Sequence, residues 1–350
     1  MKLINFCKNL IRPNMIKPIF YKNENKIKNI NVVFNKKLNF GKKNKNKIFY
    51  VIKKNYAPNG FFSLITFVME HLLYAKKKSY IPIVDMENFL NPYNEKEKIN
   101  NSFNCWEYYF KQISPFKLNE IYKSENVIFS SNDRFTSLNL SQSKEFTKIF
   151  KKNIVIEKKI IEEAKKIKNY FFNKKDRVLG IRLSGLLQRI VTNHPLPVSN
   201  EEALNISIKI FEKEKCNKLF IITEDIDQLN LFKKYFKEKL VYLNVPRSKC
   251  NFYGSHNIEY ENYYRDKHRF KLGKECIINS ILFSDFDVLL FRSSNIISFS
   301  SLFRNKKQKR FEIVTENNSK KIIYARWKWY LKTHMPFIFG KLKYKVIKRD

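Results

Sequence analysis

The side chains that could do chemistry gather where apolar runs stop. Ile81-Pro-Ile-Val84 runs into Asp85, with Asn88 close behind, and Leu219-Phe-Ile-Ile-Thr223 runs into Glu224 and Asp225. Carboxylates in that position can bind a hydroxyl or take its proton, because the carboxyl ends of parallel strands are where α/β sheets meet ligands. Asp225 is equally a good helix N-cap, and capping is the commoner role for such a residue. A serine-rich stretch, Ser293-Ser-Asn-Ile-Ile-Ser298, follows the apolar run Val288–Phe291. Amides and hydroxyls at a helix start bind anions, although most such serines are plain caps. Asp225-Ile-Asp227 and Asp285-Phe-Asp287 have the letters of a carboxylate pair that holds a divalent ion. The second of these precedes its strand instead of ending it. His71, His256, His268 and His334 show no metal-ligand spacing with other His or Cys.

These groups need a scaffold, and the pattern supplies one. Ile48–Ile52 reads as a strand, Asn59-Gly60 as a turn, Phe62 to about Lys77 as an apolar helix and Ile81–Val84 as a buried strand. Asn126–Ser130 is a further short strand. From Lys144 to Phe172 the apolar residues recur at three and four, which predicts a helical link between domains. The second half alternates more clearly. Strands are expected at Val178–Leu183, Leu219–Thr223, Leu240–Leu243 and Val288–Phe291. Helices are expected from Ser199 to about Lys215, from Asp225 to Phe236, from Gly273 to Phe283 and from Ser298 to Arg304. Ser199 with Glu202 has the form of a capping box. Lys320–Leu331 reads as a closing helix. Alternation of this kind specifies an α/β chain with parallel sheets.

With 350 residues, 43% of them hydrophobic, the chain is long enough for two domains with their own cores. The 69 Lys+Arg against 32 Asp+Glu leave a net charge of +37, spread along the chain. That excess suits an anionic partner, either nucleic acid or a membrane surface, and it is also what an AT-rich genome yields. The five cysteines form no zinc pattern and no disulfide framework, in keeping with a reducing compartment. Met1–Phe20 carries a short basic amphipathic stripe, too interrupted for a signal peptide or a span.

Several of these segments together resemble a known family. The run Val178-Leu-Gly-Ile-Arg-Leu-Ser-Gly-Leu-Leu187, then His194-Pro195, then the capped helix at Ser199, is similar to the fucosyltransferase superfamily. That superfamily includes the bacterial nodulation fucosyltransferases and the protein O-fucosyltransferases. The resemblance extends to Gly60-Phe-Phe-Ser63, Ile81–Met86, Asn104–Phe110, Gly273-Lys-Glu275, Phe286-Asp287 and the Ser293–Ser301 loop, spanning about residues 47 to 305. It implies two Rossmann-like domains facing a cleft, of GT-B type, with residues 1–150 on the acceptor side and 151–350 holding the nucleotide-sugar. It implies an inverting glycosyltransferase that needs no metal or other cofactor and moves fucose, or a similar sugar, from a GDP-sugar to a bacterial surface glycan. The expected partners are that donor and a glycan or lipid-linked glycan acceptor. The expected place is the cytoplasm, with peripheral contact at the inner face of an anionic membrane and no nucleic acid.

The resemblance also places the site. Diphosphate charge is held by arginine, by Ser294 and Ser298 of the serine loop, and by Ser184 and Gly185 in the first motif. Ser184 stands where relatives carry the arginine, so Arg182, two residues earlier on the same strand face, is the expected catalytic cation, with Arg189 a further substitute. Gly60, Asn88, His194, Thr223, Glu224, Asp225 and Glu275 are expected to bind substrate, and Asp85 and Glu107 to serve as catalytic carboxylates. Trp106, Tyr108 and Tyr109 suit either sugar stacking or a core. Three other readings stay open: a family member that has lost turnover, a metal-dependent Asp-x-Asp glycosyltransferase, and a basic nucleic-acid-binding protein whose C-terminal aromatics and lysines interleave.

Overall fold

The computed structural model describes residues 34–55, 60–89, 91–131, 144–183, 192–247 and 265–349. Ser184, Gly185, Arg189 and the Met1–Phe20 stripe lie outside them. The described residues fall into two compact units. One comprises those up to Lys166 together with Arg265–Ile281; the other runs from Ile167 to Arg247 and from Leu282 onward. The division expected at residue 150 is thus drawn at Lys166, and a later segment belongs with the first unit.

The first unit is built on a four-stranded sheet. Its strands are β1 (Lys37–Leu38), β2 (Phe49–Ile52), β3 (Ile81–Val84) and β4 (Val127–Phe129), in the order β1-β4-β2-β3. β2 runs parallel to β3 and β4, while β1 is antiparallel to β4. β2 is buried along its whole length, as a central parallel strand of apolar residues must be. Helix α1 (Phe61–Lys77) follows β2, and His71 inside it is fully buried with Nδ1 2.8 Å from the Tyr50 hydroxyl. It is the packed histidine its apolar setting suggests. α2 (Leu118–Ile121) precedes β4, and α3 (Lys144–Asn153) and α4 (Lys158–Phe171) follow it. The long helical link expected there is therefore two helices. Residues 154–157 break it, with Ile156 bridged to Phe110 in antiparallel fashion.

The second unit carries six strands: β5 (Val178–Arg182), β6 (Lys218–Ile221), β7 (Leu240–Val241), β8 (Val288–Phe291), β9 (Lys309–Thr315) and β10 (Tyr344–Arg349). Their order is β10-β9-β8-β5-β6-β7, parallel throughout except for β10. From β5 the chain winds outward one way through β6 and β7, then returns to lay β8 and β9 on the other side. The strand order therefore reverses between β5 and β8.

Helices α5 (Asn200–Lys213), α6 (Ile226–Phe236), α7 (His268–Asp285), α8 (Asn295–Phe303), α9 (Ile322–His334) and α10 (Pro336–Phe339) complete the chain. α5 starts on the predicted capping box: Ser199 Oγ accepts from the Glu202 amide at 3.1 Å, and the Glu202 carboxylate accepts from the Ser199 amide at 3.2 Å. α7 begins at His268, five residues before the expected start, so Glu275 lies inside the helix and not in its first turn. α8 likewise begins at Asn295, which puts Ser294 at the N-cap and Ser298 one turn in. β5 meets β8 closely at Gly180, where a Cβ would stand 2.7 Å from Leu289 Cδ2 and 2.7 Å from Phe286 Cδ2. Only glycine fits there, and the tight approach fixes where Arg182 emerges two residues later.

Candidate functional site

The point between β5 and β8 is where an open parallel sheet leaves a crevice, because the connections on either side lead away from it. Two arginines stand there. Arg182 ends β5 and Arg292 follows β8, tied by the Arg292 amide donating to the Arg182 carbonyl at 3.0 Å. Both side chains are buried. Arg182 is gripped by Glu224 through two charge-assisted bonds, Nη1 to Oε2 at 2.6 Å and Nη2 to Oε1 at 2.5 Å. Arg292 donates from Nη2 to the Pro195 carbonyl at 2.7 Å, and its buried Nε has no hydrogen-bond partner among the described residues. Burial, and after it the charge of Arg182, push the Arg292 guanidinium down to about 10. Two like charges held this way favour an anion between them.

Directly after Arg292 the chain enters α8. Its N-cap, Ser294, makes no side-chain cap bond, and the buried Ser294 Oγ is unpartnered among the described residues. A nine-residue helix thus presents first-turn amides and a spare hydroxyl two residues after Arg292. Amide donors, a helix dipole and guanidinium forks are together the chemistry that holds phosphate oxygens. Ser298 contributes its amide to the Ser294 carbonyl at 3.1 Å and so belongs to the helix ladder.

The end of β6 supplies the opposite charge. Thr223 is buried, with its Oγ1 accepting from the Asp225 amide at 3.0 Å. Asp225 caps α6, Oδ1 accepting from the Asp227 amide at 2.9 Å and Oδ2 from Asn200 Nδ2 at 3.2 Å. Glu224, whose side chain is 36% exposed, is the acid of this turn that reaches Arg182. Arg247, beyond β7, fastens the neighbouring loop by donating to the carbonyls of Thr223, Val245 and Leu243 at 3.1, 2.9 and 2.8 Å. His194 is exposed, and its carbonyl accepts from the Asn318 amide at 2.7 Å.

The remaining residues singled out from the sequence lie in the first unit. Asp85 is fully buried just past β3, where its oxygens accept from the amides of Glu87 and Asn88, from Asn88 Nδ2, and from the Tyr122 hydroxyl at 2.5 Å. Glu107 is half-buried and accepts from Ser102, Asn104 and Gln112 at 2.5, 3.4 and 3.1 Å. Gly60 caps α1 with no side chain to offer. Glu275 forms a two-pronged pair with Arg265 at 2.6 and 3.4 Å; burial raises its pKa above the usual carboxylate value, against the pull of Arg265. Trp106, Tyr108 and Tyr109 are buried with exposures of 0%, 0% and 1%, so the aromatic run is core and offers no sugar platform.

The geometry thus joins Arg182, Thr223, Glu224, Asp225 and Ser294 at one sheet end, and Asp85 with Asn88 at another. Arg292 and Arg247 escaped the sequence reading. Arg292 was detectable in principle, as a cation directly after an apolar parallel strand and before a serine-rich helix start. Three carboxylates of the two Asp-x-Asp pairs are engaged elsewhere: Asp285 pairs with Lys168 at 3.0 Å and Asp287 with Lys306 at 2.9 Å, while Asp225 caps its own helix. Among the described residues no group of three or more His, Cys, Asp or Glu is placed to hold a metal ion.

No protein-family model matches the chain, and no curated protein matches it in sequence. Solved structures do. The fucosyltransferase NodZ from Bradyrhizobium matches over 76% of this chain and 95% of its own, with 12% identity and a TM-score of 0.49. POFUT1 in complex with GDP matches over 75% of this chain and 96% of its own, with 11% identity and a TM-score of 0.41. A variant of Arabidopsis thaliana FUT1 in complex with GDP covers 78% and 72%, with 10% identity and a TM-score of 0.40.

Proposed function

We propose that this chain is a GDP-sugar glycosyltransferase of the fucosyltransferase type, moving fucose or a similar sugar to a glycan acceptor without a metal. The observation that carries the reading is the buried pair Arg182 and Arg292 at the reversal of strand order, beside the uncapped start of α8. Breaking a glycosidic bond to a nucleoside diphosphate builds negative charge on the departing phosphate. Preorganised cations and amide donors stabilise that charge as it develops. Arg182 and Arg292 would hold the non-bridging oxygens, with Ser294 Oγ and the first amides of α8 completing the cradle. Glu224 keeps Arg182 oriented while the site is unliganded and yields its place to the diphosphate. Thr223 and Asp225 set the turn that carries Glu224.

Inversion takes one displacement: the acceptor hydroxyl loses its proton, its oxygen attacks the anomeric carbon, and the bond to the diphosphate breaks as GDP leaves. A carboxylate must receive that proton. The two expected for that role from the sequence are Asp85, fully buried, and Glu107, half-buried. A surface glycan as acceptor would bring the enzyme to the inner face of an anionic membrane.

One observation favours a second reading: both ends of the Arg182 fork are already taken by Glu224. That is what a member that has lost turnover would show. Ligand-observed NMR with GDP-fucose in EDTA, on the wild type and on Arg182→Ala, decides the matter. Saturation transfer that the substitution abolishes supports the donor site, and release of GDP in the presence of acceptor separates an enzyme from a binder. A signal that needs Mn²⁺, or none at all, refutes the metal-independent reading.

A further inference from the structure

The second unit exposes three consecutive large apolar residues. Phe337 is 99% exposed, Ile338 70% and Phe339 46%, and Met335 just before them is 39% exposed. They form α10, a single turn opened by Pro336 and closed by Gly340 at φ 73°. This is not a loose end. On one side α9 is pinned by buried Trp329, whose Nε1 donates to the Pro197 carbonyl at 2.8 Å. On the other, Leu342 is buried in the core of the same unit, and β10 then pairs with β9 over six residues. A turn anchored on both flanks holds Phe337 and Ile338 out in water, which few soluble proteins do with adjacent side chains of this size.

The charge around the turn selects its occupant. From Asn317 to Arg349 the chain has eight lysines, two arginines and no acidic residue, and Lys341, Lys343, Lys345 and Lys348 after the turn are exposed. Lys328 and Lys332 are the two that Glu316 neutralises. A second copy would bring the same positive rim face to face with itself. A nucleic acid would meet the lysines, but Ile338 has no ring to stack on a base. An anionic bilayer satisfies both parts, with acyl chains for the apolar turn and headgroups for the lysines.

We infer that Phe337, Ile338 and Phe339 form a wedge that inserts into the interfacial layer of an anionic membrane, held there by the lysines that follow. The inference stands on the C-terminal segment alone and holds whether or not the donor is a GDP-sugar. It places the acceptor, under the proposed reaction, among molecules carried by that membrane.

The test is co-sedimentation of the full chain, without nucleotide, with vesicles of phosphatidylcholine alone or mixed with phosphatidylglycerol. Binding is expected to the mixed vesicles only. Phe337→Ser combined with Ile338→Ser is expected to weaken it by about a hundredfold, roughly tenfold per buried side chain. Lys341→Gln and Lys343→Gln should each cost about fivefold at low salt, and less at high salt. Ile323→Ser with Tyr324→Ser removes a comparably exposed pair at the other end of α9 and should leave binding unchanged. Phe337→Trp should shift its emission to the blue on adding mixed vesicles, a gain of signal that a misfolded variant would not give. Unchanged binding of the double serine variant overturns the inference, as do equal binding to phosphatidylcholine alone and absence of vesicle binding. So does a wild-type dimer in solution that the same double variant dissolves, or an oligonucleotide that protects Phe337→Trp when vesicles do not.

Discussion

Replacing Arg292 with methionine separates what the residue does for the fold from what it does for a ligand. Burial, and after it the charge of Arg182, lower its pKa to about 10. A base whose pKa falls on folding weakens the fold wherever it stays charged, here at every pH below about 10, and the cost fades as pH rises through that value. A drop of this size corresponds to roughly 3 kcal/mol at neutral pH. Methionine keeps the stem and removes the cation. It gives up the hydrogen bond to Pro195, which contributes about 1 kcal/mol, and some packing of the guanidinium plane. The variant should therefore be as stable as the wild type, or more stable by up to about 2 kcal/mol. Its hold on a diphosphate should fall, because a hydrogen bond to a charged group contributes about 1.5–3 kcal/mol. That loss is a tenfold to hundredfold drop in GDP affinity. Calorimetric titration with GDP in EDTA and urea unfolding of the same samples read both effects. A variant destabilised by more than about 2 kcal/mol with its GDP affinity intact would show that Arg292 is a structural residue and that no diphosphate sits beside it.

Other expected outcomes follow from the same geometry. Glu224→Gln removes the internal counter-charge of Arg182 and should tighten GDP binding by on the order of tenfold while lowering stability by about 1–3 kcal/mol; weaker binding in the titration would mean that Glu224 itself contacts the ligand. Gly180→Ala forces a methyl against Leu289 and Phe286, and should cost about 1–3 kcal/mol in urea unfolding and lower kcat although residue 180 touches no substrate. Glu316 gives a pH signature. Burial works against its carboxylate, but hydrogen bonds from Lys332 and Lys328 and from the Lys343 amide outweigh it and hold the pKa at about 2. Because that pKa lies below the ordinary 4.5, the stabilisation is present above 4.5 and is lost as pH falls toward 2. The wild type should thus be more stable than Glu316→Gln at neutral pH, with the difference shrinking across that window of acid titration.

Strands made of unbroken apolar runs were legible in the sequence because central parallel strands are buried on both faces. Val288–Phe291, inside its sheet and buried throughout, is found at its expected limits, as is the edge strand Ile81–Val84, whose first two residues are half-buried. β9 was missed for the complementary reason. Its residues Lys309-Arg-Phe-Glu-Ile-Val-Thr315 alternate, burying Phe311, Ile313 and Thr315 while Lys309 stays exposed, and in so lysine-rich a chain the alternation passes for a solvated stretch. β1 was hidden in the same way among the lysines and asparagines of residues 35–47. Helix starts were legible where a side chain caps them, as at Ser199 and Asp225. The early start of α8 was not, since Ser294 makes no cap bond, and that same lack of a cap is what opens its first turn to an anion. Arg182 was legible through the family resemblance, as the cation two residues before Ser184 on the same strand face. The position of Arg292 after an apolar strand was legible, but its nearness to Arg182 needed the strand order, because β8 lying beside β5 is what brings the two together.

The antiparallel strand β10 has a consequence beyond closing the sheet. Its outer side is the sheet's border, and Lys345 and Lys348 stud that border, while at the opposite border β7 is only two residues long. Charged or abbreviated borders keep a sheet from recruiting a strand of another molecule. A chain cut after Lys343 would leave β9 outermost, with the backbone groups that six of its residues turn toward β10 unpaired and the side chains of Phe311 and Ile313 behind them. Such a fragment should assemble into fibrils at concentrations where the intact chain stays dispersed, so the last strand acts as a guard against polymerisation.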